Sequence, residues 1–205
     1  MIVVIDYGMG NLRSVSKALE ALGAQVTVSG RPEDVAGADQ LILPGVGAFG
    51  AAMQELATRE LLDPIRQALA DGKPYLGICL GLQLLFEESE EDPGVKGLGI
   101  LPGRVRRFHS ESRAPLKVPH MGWNSVVSSQ DDACPLLAGV ADGSFFYFVH
   151  SYYADPTDRS LVALETDYGI RFAAMVWREH LYATQFHPEK SQALGLQVLR
   201  NFVDL

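Results

Sequence analysis

The chain has 205 residues, with 17 basic and 25 acidic side chains, a formal net charge of −8 and 47% hydrophobic residues. An acidic balance of this kind argues against nucleic-acid binding, which needs clustered Lys and Arg side chains to displace counterions. The length and the ordinary globular composition predict one domain over residues 1–205. The start of the chain lacks a basic signal region and no apolar run is long, so we expect a cytoplasmic protein without membrane spans.

The first half of the chain alternates short apolar runs with amphipathic stretches. Strands are predicted at residues 2–5, 25–28, 40–43 and 75–78, and helices at residues 12–22, 32–35, 48–57 and 61–70. Alternation of strands and helices with short connections is typical of an open, mostly parallel sheet flanked by helices. The predicted fold class is therefore α/β.

The second half reads as strands without long helices until the end of the chain. The predicted strands are 125–127, 145–150, 161–166, 172–177 and 181–186. Their hairpin-like spacing predicts an antiparallel extension of the sheet. Ser191 is expected to cap a final helix. The acidic run 87–92 is interpreted as a solvated helix end and loop, and the basic cluster 104–107 as the solvated side of a strand.

Cys79 lies where the predicted strand 75–78 runs into a helix. Gly77 and Gly81 flank it in a G-x-C-x-G pattern, the thiol version of a nucleophile elbow. A helix N-terminus beneath the sulfur would favour the thiolate, which is the nucleophilic form. The alternative is a buried cysteine that acts as a small hydrophobic residue. Cys134, in a polar loop before a proline, is interpreted as incidental, and two cysteines make no disulfide framework.

His187 and Glu189 follow the predicted strand 181–186. The proline between them disfavours helix at His187, so we expect an extended backbone there. Residues two apart in an extended chain point to the same side, which would let the carboxylate orient the imidazole as a general base. The alternative is an ordinary histidine with its hydrogen bonds satisfied inside the core.

A glycine-rich loop at residues 44–50 follows the third predicted strand. Ligand sites in such sheets lie beyond the carboxyl ends of the strands, so this loop and Cys79 should share one rim. The glycines could instead serve only to ease a turn.

Gly8 and Gly10 make a poor dinucleotide motif because its third glycine would fall on Arg13. The five histidines lack metal-site spacing, so no metal site is predicted.

Several segments together resemble a known family. Residues 77–83, 44–47 and 185–189 resemble the three site motifs of class I (triad-type) glutamine amidotransferases, which have a flavodoxin-like sheet. Residues 6–11, 44–49, 119–124 and 148–152 resemble the glutaminase subunits of imidazole glycerol phosphate synthase. The resemblance covers essentially the whole chain.

The resemblance implies a role for each motif residue. Cys79 would attack the side-chain carboxamide of L-glutamine, His187 would act as general base and acid, and Glu189 would orient it. The backbone N–H groups of Val46 and Leu80 would form the oxyanion hole. The residues implied to hold glutamine are Gly47, Gln83, Ser151 and Tyr152. The resemblance implies neither a metal nor an organic cofactor.

The resemblance also implies a partner. Ammonia would pass through a channel to a (β/α)₈-barrel cyclase subunit in a heterodimer that serves histidine biosynthesis. The interface candidates are Tyr7, Asn11, Trp123, Tyr147 and Lys190, although Trp123 and Tyr147 could instead be core residues. Substrate bound to the partner would switch the glutaminase on, and a peptide flip next to Val46 is a hypothesis for how.

Three other functions stay open at this point. The chain could be the glutaminase of a different synthase, which an ammonia-acceptor screen would reveal. It could be a cysteine hydrolase or stress protein on a flavodoxin-like sheet, a class that would lack the 187–189 segment. It could also be a scaffold without activity, in which replacement of Cys79 would change nothing.

Overall fold

The computed structural model of the protein describes residues 1–109, 116–129 and 134–205. The strands are β1 (Ile2–Ile5), β2 (Val26–Ser29), β3 (Gln40–Gly45), β4 (Tyr75–Cys79), β5 (Glu88–Ser89), β6 (Gly103–Arg107), β7 (His120–Ser125), β8 (Val127–Ser128), β9 (Phe145–His150), β10 (Tyr152–Pro156), β11 (Val162–Asp167), β12 (Arg171–Arg178) and β13 (Leu181–Thr184). The helices are α1 (Leu12–Ala21), α2 (Pro32–Gly37), α3 (Phe49–Thr58), α4 (Leu62–Ala70), α5 (Leu80–Gln83) and α6 (Gln192–Val203). Among these described helices, none has the length and apolarity needed to cross a membrane.

The main sheet has eight strands in the order β2-β1-β3-β4-β13-β12-β11-β8. Its first five strands pair in parallel, and β12, β11 and β8 continue it with antiparallel pairs. The predicted mostly parallel α/β sheet with an antiparallel extension is thus confirmed, but two strands predicted in that extension differ: residues 181–184 pair in parallel with β4, and residues 145–150 lie outside the main sheet. The chain returns from β12 to place β13 beside β4, which brings the segment after residue 184 next to the end of β4.

The central strands are buried on both faces, which explains their continuous apolar sequence. In β1, Val3 and Ile5 belong to one core cluster, whereas Ile2 and Val4 belong to the other. Helices α3 and α4 cover the first face and α1 and α6 the second. Each large apolar side chain buried in this way contributes about 1.5–3 kcal/mol.

Strands β7 and β9 form a separate two-stranded antiparallel ribbon. The sequence predicted a strand only at 125–127 in this region, which is wrong in its bounds: β7 ends at Ser125, Val126 is buried, and β8 pairs with β11 instead. Gly122, with φ of +140°, weakens the strand pattern of β7 and explains why the sequence conceals it.

A small sheet in the order β10-β6-β5 completes the fold. In β6, Val105 is buried, whereas Arg104 and Arg106 on the opposite face are exposed and half-buried, as expected for the solvated side of a strand. The acidic run was predicted as a helix end and loop, but Glu88–Ser89 is a strand that pairs with β6. This correction follows from tertiary pairing, which outweighs the weak local preference of a charged segment.

Ser191 occupies the N-cap position of α6, but its side chain makes no capping hydrogen bond. Its hydroxyl donates instead to the carbonyl of His187 at 2.6 Å and accepts from the backbone N–H of Tyr147 at 3.0 Å. The predicted side-chain cap is therefore wrong. Ser191 ties the segment after β13 to β9.

Candidate active site

Cys79 ends β4 with φ of 56° and ψ of −105°, in a region that side chains other than glycine seldom adopt. Helix α5 begins at the next residue and is a single turn. The reversal from strand to helix pushes the cysteine side chain out of the turn. The predicted nucleophile elbow is confirmed in its backbone geometry.

The two flanking glycines are required by close backbone approach rather than by a positive φ. A Cβ atom at Gly81 would lie 1.9 Å from the carbonyl oxygen of Leu43, and one at Gly77 would lie 2.6 Å from the carbonyl oxygen of Gly81. Both distances are well inside van der Waals contact. The elbow can therefore pack against β3 only without side chains at these positions.

His187 and Glu189 lie at the end of the neighbouring strand β13, with the Nδ1 of His187 2.9 Å from Oε1 of Glu189. The His187 backbone is extended, as predicted, with φ of −99° and ψ of 98°. Glu189, however, lies in a 3-10 turn, so the two side chains meet across this turn rather than along a strand. Both are almost completely buried, at 2% and 1% exposure.

The pKa of His187 reflects opposing effects. Burial alone lowers it, but interactions with Cys79 and Glu189 outweigh burial and raise the pKa to about 9. The Nε2 atom makes no hydrogen bond that satisfies standard geometry within the described residues. It is thus the imidazole nitrogen left to exchange a proton with the thiol.

Cys79 opens into a cavity of about 310 Å³. Its lining residues are Val46, Gly47, Cys79, Leu80, Gln83, Glu91, Pro119, Val149, His150, Ser151 and Tyr152. The structure therefore brings all the residues predicted for the oxyanion hole and for glutamine binding to one site. The glycine-rich loop and the elbow share one rim, because Gly45 of β3 pairs with Cys79 of β4. Their individual roles stay predictions.

Glu91 lines the cavity but was missed by sequence reasoning, since it lies in the acidic run. Its Oε2 accepts from the N–H of Phe49 at 2.9 Å, and Oδ2 of Asp92 accepts from the N–H of Gly50 at 2.7 Å. Carboxylates at a helix N-terminus are favoured by the helix dipole. Burial raises the pKa of Glu91, opposed by the Phe49 N–H, with a further increase from Asp92.

Two buried glutamines, Gln83 and Gln185, form hydrogen bonds that lead to the Cys79 sulfur. Gln83 Nε2 donates to the carbonyl of Tyr152 at 2.9 Å and to Oε1 of Gln185 at 3.2 Å. Gln185 Nε2 in turn lies 3.7 Å from the Cys79 sulfur. Gln185 stands in a matched motif but was not singled out. Its position two residues before His187, directly after the end of β13, is the signal that could have found it.

The predicted interface residues fall into two groups. Trp123 is 46% exposed, and its ring lies 6.1 Å from that of half-buried Tyr147. Lys190 is exposed, with its ammonium 6.0 Å from the Tyr147 ring centroid, and Asn11 is partly exposed. These four keep surface that a partner could contact, and the core alternative for Trp123 does not fit its exposure.

Tyr7 is completely buried, so the prediction that it contacts a partner is wrong for this conformation. A Cβ atom at Gly45 would lie 2.6 Å from the Tyr7 hydroxyl, which places this ring against the strand that carries the oxyanion loop. Burial raises the pKa of Tyr7, with a smaller contribution from nearby Cys79. The residue supports the site from within the core.

Cys134 is buried, and burial raises the pKa of its thiol to about 11. Its thiolate is therefore scarce at neutral pH, unlike that of a reactive cysteine. The interpretation of Cys134 as incidental to the chemistry agrees with this environment.

The fold and the Cys-His-Glu site define a glutamine amidotransferase of class I. The family model described as "Glutamine amidotransferase class-I" matches residues 3–205. The imidazole glycerol phosphate synthase subunit HisH of Syntrophotalea carbinolica is 52% identical over the full length of both chains. The subunit HisH of Methanothermobacter thermautotrophicus is 51% identical, over 100% of this chain and 98% of its own. The chain belongs to the HisH family of class I glutamine amidotransferases.

Solved structures show the same fold at lower identity. PurLQS from Thermotoga maritima superposes with a TM-score of 0.74 and 20% identity, over 99% of this chain and 96% of that one. The glutaminase domain of Trypanosoma brucei CTPS gives a TM-score of 0.70 with 16% identity, over 99% and 90% of the two chains.

Proposed function

We propose that residues 1–205 form one amidotransferase domain that hydrolyses L-glutamine to glutamate and ammonia. The observation that carries this proposal is that Cys79 lines a cavity of about 310 Å³ and interacts with His187, whose Nδ1 is in turn held by Glu189. We further propose that the ammonia is passed to a cyclase subunit of imidazole glycerol phosphate synthase for histidine biosynthesis in the cytoplasm.

In the first step the thiol proton of Cys79 passes to Nε2 of His187. With a pKa of about 9, the imidazole holds this proton at neutral pH. The sulfur then attacks the carboxamide carbon of glutamine, and a C–S bond forms. As the C–N bond breaks, His187 donates its proton to the departing nitrogen, which leaves as ammonia.

In the second step water enters the place of ammonia. His187 accepts one of its protons, the hydroxyl attacks the glutamyl thioester, and the C–S bond breaks to give glutamate. The sulfur leaves as the thiolate and His187 keeps its proton, which restores the ion pair of the first step, while the new carboxyl group of glutamate releases its proton to solvent. Glu189 keeps the imidazole in the tautomer and orientation that both transfers require, because it accepts from Nδ1 throughout.

The charge that develops on the substrate oxygen needs donors close to the sulfur. The N–H of Leu80 is the first of the single turn α5 and has no partner within that helix. Val46 is exposed at the rim of the cavity, next to Gly47 with φ of +103°. Removal of one such donor costs about 100-fold or more in rate.

Gln83 is the best candidate to recognise glutamine by a hydrogen bond. Both of its amide hydrogens are used inside the protein, which leaves Oε1 to accept from the ligand. Gly47, Ser151 and Tyr152 line the same cavity and supply further polar backbone and side-chain groups. Glu91 adds a carboxylate suited to the α-ammonium group of an amino acid.

The outward face of the β7–β9 ribbon is the proposed cyclase contact. Side chains alternate along both strands, so Met121 and Trp123 project to the side opposite the buried His120. Trp123 pairs with Tyr147, and Phe145 is 54% exposed at the end of the ribbon. An exposed apolar and aromatic patch next to the cavity is typical of a protein interface.

A single assay series tests the function. The purified chain is mixed with the cyclase subunit, glutamine is added, and glutamate is measured for the parent, Cys79→Ala and Cys134→Ala. We expect glutamate from the parent and Cys134→Ala but none from Cys79→Ala. Mass spectrometry after treatment with a glutamine-like electrophile should show label on Cys79 and not on Cys134. Glutamate release by Cys79→Ala would overturn the mechanism.

A further inference from the structure

A chain of hydrogen bonds runs beneath the cavity from the β7–β9 ribbon. Asn124 Nδ2 lies 3.3 Å from Nε2 of His120, and Nδ1 of His120 lies 3.1 Å from Nε2 of His150. Nδ1 of His150 then lies 2.8 Å from the carbonyl oxygen of Tyr152. The mechanism above uses neither histidine.

Both imidazoles are enclosed by aromatic rings. His120 is stacked between Phe148 and Tyr168, with ring centroids 4.9 and 4.0 Å away. His150 lies 5.3 Å from Phe108 and 5.2 Å from Phe172 by the same measure. The two histidines are only 3% and 6% exposed. In such surroundings a ring nitrogen without a hydrogen bond would be costly, so each ring nitrogen needs its partner in this series of hydrogen bonds.

The groups at the two ends of this hydrogen-bond series, Asn124 and the Tyr152 carbonyl, determine which nitrogen of each imidazole carries the hydrogen. The Tyr152 carbonyl can only accept, so Nδ1 of His150 carries a hydrogen and its Nε2 accepts from Nδ1–H of His120. At the other end, Asn124 Nδ2 also donates to the carbonyl of Asp167 at 2.8 Å, while its Oδ1 accepts from the N–H of Ser125 at 2.9 Å. Asn124 Nδ2 is thus a donor, and Nε2 of His120 accepts.

Both rings are therefore neutral Nδ1–H tautomers. Burial keeps them neutral, since it lowers the pKa of His120 to about 4. For His150, burial and the positive charge of nearby histidines outweigh its hydrogen bond to Tyr152 and lower the pKa to about 3. A second proton on either ring would place two donors against each other in this chain.

The same Tyr152 carbonyl accepts from Gln83, which leads to the nucleophile. Gln83 Nε2 lies 2.9 Å from this oxygen, Gln83 also donates to Gln185, and Gln185 contacts the Cys79 sulfur. One carbonyl thus joins the imidazole pair to Gln83, which lines the cavity. Its position depends on donors from both sides.

We propose that His120 and His150 are positioning residues that hold the Tyr152 carbonyl and, through it, the Gln83 amide for glutamine binding. This inference rests on the proposed function of the cavity as a glutamine site. The essential contact is the Nδ1–H of His150. His120 contributes by keeping the hydrogen of His150 on Nδ1.

Two substitutions at one position separate this role from simple packing. In His150→Asn the amide nitrogen takes the place of Nδ1 and can still donate to Tyr152. In His150→Gln the amide reaches the place of Nε2 and can still contact His120, but the donor to Tyr152 is lost. We expect His150→Gln to raise KM for glutamine at least tenfold more than His150→Asn, with kcat affected less than KM in both.

The kinetics are measured with the full chain in its complex, and His180→Gln, at an exposed histidine, serves as the control. Thermal unfolding shows whether each variant is folded. Equal KM values for the two folded His150 variants would overturn the proposal.

A spectroscopic readout on the parent chain does not depend on any variant. Long-range ¹H–¹⁵N NMR of chain labelled in histidine, at pH 7, should show two imidazoles protonated at Nδ1 and free at Nε2, the less common tautomer in water. A Nε2–H tautomer or a charged ring at either position would also overturn the proposal. If the parent fails to hydrolyse glutamine while this NMR signature is present, the proposed function fails and the hydrogen-bond chain stands.

Discussion

Nδ1 of His187 lies 2.9 Å from Oε1 of Glu189, and the two side chains meet across a 3-10 turn in an almost fully buried position. A carboxylate enclosed in this way cannot rotate freely, and it holds one imidazole nitrogen in a fixed role. The other nitrogen, Nε2, is left to exchange a proton with the Cys79 thiol. The contribution of Glu189 to the reaction rate can be measured by substitution.

Glu189→Gln is expected to lower kcat for glutamine hydrolysis by about 100-fold or more, because an amide at this position holds the imidazole less well and removes the negative charge. Glutamine is nearly isosteric with glutamate, so the packing should survive. Steady-state glutamate release measures the effect. Glu179→Gln, at an exposed position, is the control, and a parent-like kcat for Glu189→Gln would exclude the orienting role.

The shifted pKa values of three buried histidines predict a maximum of stability near pH 6.5. The pKa of His187 is raised from 6.5 to about 9, so its stabilising contribution is complete below pH 6.5 and is lost as the pH rises to 9. The pKa values of His120 and His150 are lowered to about 4 and 3, so their contributions are present above pH 6.5 and are lost as the pH falls. Each pKa unit corresponds to about 1.4 kcal/mol.

Chemical denaturation between pH 5 and 9 measures these slopes. His187→Gln should flatten the alkaline side between pH 6.5 and 9 while leaving the acid side in place. An unchanged alkaline slope in this variant would show that His187 is not the group responsible.

The elbow glycines predict a strong steric effect. Gly81→Ala places a Cβ atom 1.9 Å from the Leu43 carbonyl oxygen, so α5 and β3 must separate. We expect a loss of about 1–3 kcal/mol or more in the free energy of unfolding, together with loss of activity. Gly37→Ala is a matched control, since nothing lies within 4 Å of its Cβ and alanine is the better helix former. Equal stability of the two variants would contradict the close packing.

Glu91 and Asp92 offer a matched pair for substrate binding. Both carboxylates accept from the first N–H groups of α3, but only Glu91 lines the cavity. Glu91→Gln should therefore raise KM for glutamine about tenfold or more, whereas Asp92→Asn should alter mainly thermal stability. Similar KM values for the two variants would show that Glu91 serves only as a helix cap.

Trp123 predicts where the cyclase subunit binds. Large exposed aromatic residues dominate the energetics of many interfaces, so Trp123→Ala should weaken association with the cyclase at least tenfold. Calorimetric titration of the chain with the purified subunit gives the Kd. Val28→Ala removes another exposed apolar side chain, 43% accessible, at the far edge of the main sheet. If both variants bind alike, the ribbon is not the contact.

The sequence predicted the parts of the fold that local patterns determine. Buried strands such as β1 are apolar throughout, and the G-x-C-x-G pattern around Cys79 has few other structural uses. These features depend on periodicity and on steric rules for glycine, which a single sequence displays. The pairing of β13 with β4, which brings His187 near Cys79, was not predicted, because the strand at 181–186 was assigned to the antiparallel extension.

Other features depend on contacts between distant segments. Glu91 reaches the cavity only because the acidic run folds back onto α3, and its sequence surroundings resemble any solvated loop. The burial of Tyr7 was missed because aromatic residues occur in both cores and interfaces. The pairing of His120 with His150 arises from the register of β7 and β9, and the glycine in β7 hides that strand.

The positive φ of Cys79 has a consequence for protein engineering. A non-glycine residue in a sparsely populated backbone region lowers the free energy of unfolding by about 1–3 kcal/mol. The backbone of the reacting residue, Cys79, therefore destabilises the fold. Cys79→Gly should therefore yield a more stable and wholly inactive chain, and Cys79→Ala an inactive chain without that gain. Selection for thermostability alone would discard the nucleophile, and only selection for ammonia production keeps it.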